Sequence, residues 1–236
     1  MRLPVAGPPG PAQRLRATLG FVVPPLVAAS ERLVSHPRIS ELYPEYLAAM
    51  HGVIRASVPL MDTARTRAAA LAGGDPVAAG VAAYLEAHIP EERGHDEWLL
   101  DDLAVLGVDR AEVLARIPSP AVATFVGVQY YWVLHHDPAA VLGYVAVLEG
   151  YPPSKALVDG LIARSGHPRK AFRTMLAHGV LDPRHRDEFD AALDALPLSE
   201  AREATVRLSA LSSARMLTEV LHEVVDGAER RWAAAA

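Results

Sequence analysis

The chain contains no cysteine. That absence excludes disulfides, thiolate-ligated zinc, iron–sulfur clusters and a cysteine nucleophile together. It has no excess of positive charge either. Twenty-three lysines and arginines against 28 aspartates and glutamates leave a formal net charge of −5, which gives no electrostatic footprint for nucleic acid. Aromatic residues are only 6% of the 236. Apolar runs stay well short of the ~18–20 residues that a membrane span needs. Near the start, Pro4, Pro8, Pro9 and Pro11 stand where a signal peptide would need an apolar helix. A cytoplasmic protein with no nucleic-acid or membrane partner is expected, with residues 1–20 as a disordered or loosely attached lead.

What is present argues for one packed domain over residues 21–236. Half of the chain (51%) is hydrophobic and 22% is charged, a balance that supports a sizeable core. Alanine, leucine, arginine and glutamate dominate, and apolar residues recur at steps of three and four, the helical period. The spacing predicts helices over Pro24–His36, Glu41–Leu71 with a bend at Pro59, Pro76–Leu106, Pro120–His135, Pro138–Glu149, Ser154–Arg164, Pro168–Leu196 and Ser199–Arg231. Asp75-Pro76 is a cap followed by a first-turn proline, and Gly107 is a stop. Val126–Leu134 is strand-like, but one strand makes no sheet, so it reads as a buried helix. No internal repeat or composition shift marks a boundary. The fold class is all-α.

The ten histidines form no tag-like run, and several fall beside carboxylates. Glu92 and His95 are an E-x-x-H pair, which on a continuous helix projects from one face, and His88 joins that face four residues earlier. Glu149 ends the apolar segment Gly143–Leu148. His178, Asp182 and His185 share a narrow arc along ~10 Å of a helix. Helical bundles build di-iron and di-manganese sites from such inward-facing E-x-x-H pairs and extra carboxylates. Nitrogen and oxygen donors without thiolates suit iron or manganese, and the spacing does not exclude zinc. Each element also has a plainer reading. Single E-x-x-H pairs are common and solvated, Glu149 beside Gly150 would equally be a helix end, and Gly179 with Asp182-Pro183 would equally be a helix stop and restart. The joint occurrence on successive helices outweighs each part.

The order Glu92-x-x-His95, Glu149, His178-x₃-Asp182-x₂-His185 resembles the haem-oxygenase-like di-metal oxidases and oxygenases, the iron-containing redox enzymes. The flanking HIPEERGHDEWLLDDLAVLG and Tyr144–Gly150 share the likeness, which extends over roughly residues 42–225. The resemblance implies a haem-oxygenase-like helical bundle of about seven core helices. It implies two Fe²⁺ ions per chain, with Mn possible, held by Glu92, His95, Glu149, His178, Asp182 and His185. Some relatives carry a further carboxylate near the first pair. His88 stands in that place here, as an extra ligand or as a support for one. The implied activity is O₂-dependent oxidation of a small organic molecule, an amine, amino acid or fatty acid, by N-oxygenation or oxidative C–C cleavage. A homodimer is expected by the same likeness.

Arg55 and Arg215 are the candidate partners for a substrate carboxylate, although Glu219 lies four residues after Arg215 and would pair with it. Two other classes compete. A cofactor-independent oxidase of the pyrroloquinoline-quinone synthase type shares the fold, but it would leave a buried Glu and Asp without a cation, at a desolvation cost. A metal-free helical binding protein would pair the six residues with one another.

Overall fold

The computed structural model describes residues 8–235, and among these every regular element is helical. They are α1 (Pro11–Leu19), α2 (Val23–Val34), α3 (Ile39–Ile54), α4 (Ser57–Leu71), α5 (Pro76–Glu92), α6 (His95–Val105), α7 (Arg110–Ala115), α8 (Pro120–His135), α9 (Val141–Leu148), α10 (Lys155–Ser165), α11 (Arg173–Ala195) and α12 (Glu200–Ala235). Short 3-10 turns, Pro138–Ala140 and Arg169–Phe172, lead into α9 and α11.

Helix starts follow local chemistry. Asp75 accepts the N–H groups of Val77 and Ala78, Ser119 that of Val122, and Asp137 that of Ala139, each with a proline in the first turn. The strand-like segment Val126–Leu134 lies inside α8. The run expected over Glu41–Leu71 is broken at Arg55-Ala56, not bent at Pro59. The cause is still Pro59, whose ring excludes a helical carbonyl four residues back, at Arg55.

The loose lead expected over residues 1–20 is overturned from Pro11 onwards, and Met1–Gly7 lie outside the described residues. From Pro11 the chain is helical, and Ala12, Leu15 and Leu19 are buried against α12 and α11. Arg14 fastens this helix through a bidentate pair with Glu203 at 2.7 and 2.6 Å.

The 36 residues of α12, about 54 Å long at helical rise, form the spine on which α9, α2, α8, α1 and α3 pack. Gly143 lets α9 approach closely, since a Cβ there would run into the α12 backbone at Val206 and Ala210. Gln129 bonds Ser213 (2.9 Å) and Ser209 (3.2 Å), so the buried polar groups between α8 and α12 satisfy one another. No single helix among the described residues is long and apolar enough to cross a membrane. The bent pair α1–α2 passes that test only when joined, and Leu15, Leu19, Leu26, Ala29 and Leu33 of that pair are in the core.

Candidate metal centre

Four elements converge at the middle of the bundle. On α5, His88 and Glu92 stand four residues apart, and Glu92 is the last helical residue. The expected continuous helix stops there. Arg93 is extended and Gly94 takes φ +87°, a conformation that glycine adopts without strain, before His95 opens α6. Glu92 and His95 therefore do not share one helical face. They meet across a sharp turn, with His95 Nδ1 3.1 Å from Glu92 Oε2.

Glu149 directly follows α9, every residue of which except Leu148 is buried. A helix buried on all sides delivers the acid into the interior, where it keeps 8% exposure. His178, Asp182 and His185 lie on α11, which runs unbroken through Gly179 and Pro183. Of the two readings open at Gly179, the chain takes the continuous one. Gly179 serves a different purpose, admitting the Pro153 carbonyl where a Cβ would lie 2.8 Å from it. The start of α11 is held by Asp102 of α6, whose carboxylate accepts the N–H groups of Arg173 (3.2 Å) and Thr174 (3.0 Å). One buried acid thus joins the helix that begins with His95 to the helix that carries three further donors.

The donors fall into two groups. Ligand atoms of Glu92, His95 and His178 lie within 4.8 Å of one another, and so do those of His88, Glu92 and Glu149. Glu92 belongs to both. His88 Nε2 is 2.9 Å from Glu149 Oε1. His178 Nδ1 donates to the Thr174 carbonyl at 2.8 Å, which fixes its ring and leaves Nε2 with the lone pair. His185 is 1% exposed. Its Nδ1 is 3.6 Å from Glu92 Oε1 and 3.7 Å from Glu149 Oε2, while its Nε2 faces Glu91 at 3.2 Å.

Charge is strained here. Burial and the neighbouring charges of Glu149 and Glu92 push the Asp182 carboxyl up to about 8. Burial raises Glu149 as well, against the opposing hydrogen bond and charge of His88. Burial would do the same to Glu92, but the His95 hydrogen bond and three imidazoles outweigh it and lower its pKa. His88 moves up, because its hydrogen bond to Glu149 and the nearby acids overcome burial. Burial lowers the His178 pKa, which favours the neutral form that a ligand needs. Four buried carboxylate and imidazole atoms at this one place have no hydrogen-bond partner: Glu92 Oε1, Glu149 Oε2, Asp182 Oδ1 and His185 Nδ1. Orphaned acceptors from three acids and an imidazole, gathered where like charges repel, fit a pair of cations with nitrogen and oxygen ligands.

The family described as iron-containing redox enzyme matches residues 64–218. The chain belongs to that family. The matched span includes the seven candidate donors, His88, Glu92, His95, Glu149, His178, Asp182 and His185. Among solved structures, this iron-containing redox enzyme family member resembles a domain of unknown function with a heme oxygenase-like fold from Shewanella denitrificans OS217 (TM-score 0.76, 18% identity, 91% of each chain). A TenA homolog from Pseudomonas syringae pv. tomato DC3000 (TM-score 0.64, 14% identity, 96% of this chain and 100% of that one) and a CadD-like protein of unknown function from Nostoc punctiforme PCC 73102 (TM-score 0.61, 16% identity, 91% and 98%) also match. The fold is haem-oxygenase-like. No curated protein sequence matches the chain.

Within this family member, the two arginines singled out from sequence lie elsewhere. Arg215 is exposed and pairs with Glu219 at 3.2 Å, and Arg55 lines a separate cavity with His51. Three residues of the centre escape a reading by sequence. Glu91 faces His185 Nε2. Tyr84 stacks on His88 with ring centroids 5.2 Å apart, and its buried hydroxyl has no partner. Asp102 sets the start of α11. Tyr84 carries a legible signal, since it precedes His88 by four residues on one helix.

Proposed function

We propose that this protein is a non-haem di-iron oxidase or oxygenase that activates O₂ to oxidise a small organic molecule. The observation that carries the reading is the sharing of Glu92 between two donor groups, with unpartnered buried atoms on Glu92, Glu149, Asp182 and His185. His95 and His178 would hold one ion and His88 and Glu149 the other. Glu92 would lie between them, and Asp182 and His185 would complete the set from α11. Bound as a ferrous pair, the metals would supply two electrons to dioxygen.

The chain's own groups do the rest. Thr174 orients His178 through its carbonyl, and Glu91 confines the outer edge of His185. The turn at Gly94 sets His95 against Glu92, and burial excludes bulk water from the acids. Carboxylates suit the middle position because one group can serve one ion or two. The donors would accept manganese by the same chemistry, so the native metal is decided by content, not by geometry.

Anaerobic loading of the full chain with ferrous iron, with metal quantified before oxygen is admitted under stopped-flow absorbance, tests this reading. About two irons per chain and a transient visible band on mixing with O₂ are expected for a centre of this type. No bound iron or manganese after loading would overturn the reading and favour a metal-independent activity on this fold.

A further inference from the structure

A separate cavity of about 390 Å³ opens between the C-terminal half of α3, the segment before α8 and the last turns of α12. None of the seven acids and imidazoles of the metal centre lines it, so a ligand bound there is independent of the di-iron reading. Apolar walls come from Ala48 and Ala49 on α3, Val122 on α8 and Val224 on α12. The charged lining is Arg55, Arg116, Arg230 and Arg231 with Glu45 and Glu223.

The acids are already engaged. Glu45 lies 3.5 Å from Arg116 and 3.1 Å from Arg231, so one carboxylate serves two guanidinium groups. Glu223 accepts the backbone N–H of Ala121 at 3.1 Å, at the start of α8. Arg55 and Arg230 are both exposed at the rim of the cavity, and their guanidinium groups have neither an ion pair nor a hydrogen bond to any described residue. Beside them the helix interior carries Gly227. A Cβ there would meet only the Arg231 and Arg230 guanidinium atoms, at 3.5 and 3.9 Å. The space is open because α12 carries no side chain at that point.

Unpaired guanidinium groups against an apolar wall recognise a particular chemistry: an acid group for the forked donors and a hydrocarbon body for the wall. We propose that this cavity binds an organic anion with an apolar body, its acid group held by Arg55 and Arg230 and its body against Ala48, Val122 and Val224. Ligand charge and ligand apolarity are both required.

Octane-1-sulfonate is a suitable probe, because it stays ionised across the working pH range and binds metals poorly. Titrated into the metal-free full chain, it should give saturable amide shifts at Gly52 and Gly227. Arg55→Gln and Arg230→Gln should each weaken binding at least about tenfold, whereas Arg215→Gln should leave it unchanged. Gly227→Leu should block binding while the melting temperature holds or rises, since leucine is the better helix former. Octan-1-ol shifting the same amides with equal affinity would overturn the proposal, as would binding retained in the Arg55→Gln/Arg230→Gln double variant. Absence of saturable shifts at Gly52 and Gly227 would do so as well. Because the titration needs no metal, its failure leaves the di-iron reading intact, and the converse holds too.

Discussion

Glu92 is the residue whose loss should matter most, because it alone belongs to both donor groups. Glu92→Ala is expected to take metal content from about two ions per chain to near zero, while His178→Ala or His88→Ala removes about one. Metal analysis after loading, with helicity checked by circular dichroism, separates these outcomes. Equal losses in all three variants would sink the shared role of Glu92. Asp182 gives the centre its pH dependence. Its pKa of about 8 means that a cation must displace a proton from it at neutral pH. Affinity for Mn²⁺ should therefore rise with pH, by up to roughly tenfold per unit where Asp182 is protonated. Asp182→Asn should remove one proton from that slope, as titration calorimetry in buffers of differing ionisation enthalpy would read. The sign for the metal-free chain is opposite. An acid whose pKa is raised on folding binds its proton more tightly when folded, so stability falls as pH climbs from about 4 towards about 8. Residue types and spacing make Glu92, His95, Glu149, His178, Asp182 and His185 visible in sequence, and the structure gathers all six with His88. Glu91 is not visible there, because its meeting with His185 depends on how α5 and α11 sit side by side, which no local pattern encodes.

Elements are legible where the chain announces its own ends. Asp75-Pro76, Ser119-Pro120 and Asp137-Pro138 mark helix starts by capping chemistry that acts within three residues. Sequence misleads where a break sits inside an unbroken apolar period. Arg93-Gly94 interrupts what looks like one helix from Pro76 to Leu106, and only the left-handed φ of Gly94 reveals it. The lead misleads for the opposite reason. Its prolines argue against order, but Pro11 sits at a first helical turn, where proline is tolerated, and Leu15 and Leu19 find the core. Gly94→Ala tests the turn. A β-carbon in left-handed geometry costs about 1–2 kcal/mol, so chemical denaturation should show a loss of that size. Relief by unwinding the turn would move His95 away from Glu92 and reduce metal uptake. Unchanged stability and uptake would mean that the turn does not set the position of His95.

At the scale of the whole molecule, Arg202 near the start of α12 bonds Asp75 at 2.6 Å and Asp137 at 2.9 Å. These two acids cap the start of α5 and the turn into α9, the helices that carry or deliver donors, so one guanidinium group registers two of them on the spine. Arg202→Ala should cost about 2 kcal/mol, read from urea unfolding. The pKa of Asp75 is lowered to about 2 by its hydrogen bonds with Arg202. Its contribution is full above about pH 4 and is lost as pH falls towards 2, and the alanine variant should lose that part of its acid sensitivity. The all-α architecture is legible from period and composition alone. The path of α12 through the middle is not, because it depends on close approaches such as that at Gly143, which a sequence records only as one more glycine.

Of the donor helices, α5 packs chiefly on α4, α9 on α12, and α11 on α1 and on the donor helix α6. Across the middle, acids and imidazoles of α5, α9 and α11 face one another, and four of their buried atoms have no hydrogen-bond partner. The centre is therefore a seam, because without cations its unpartnered buried polar atoms weaken the join. Cations would act as rivets. Amide hydrogen exchange in α11 and at the end of α5 should slow markedly on loading, while α12 exchanges at nearly the same rate with or without metal.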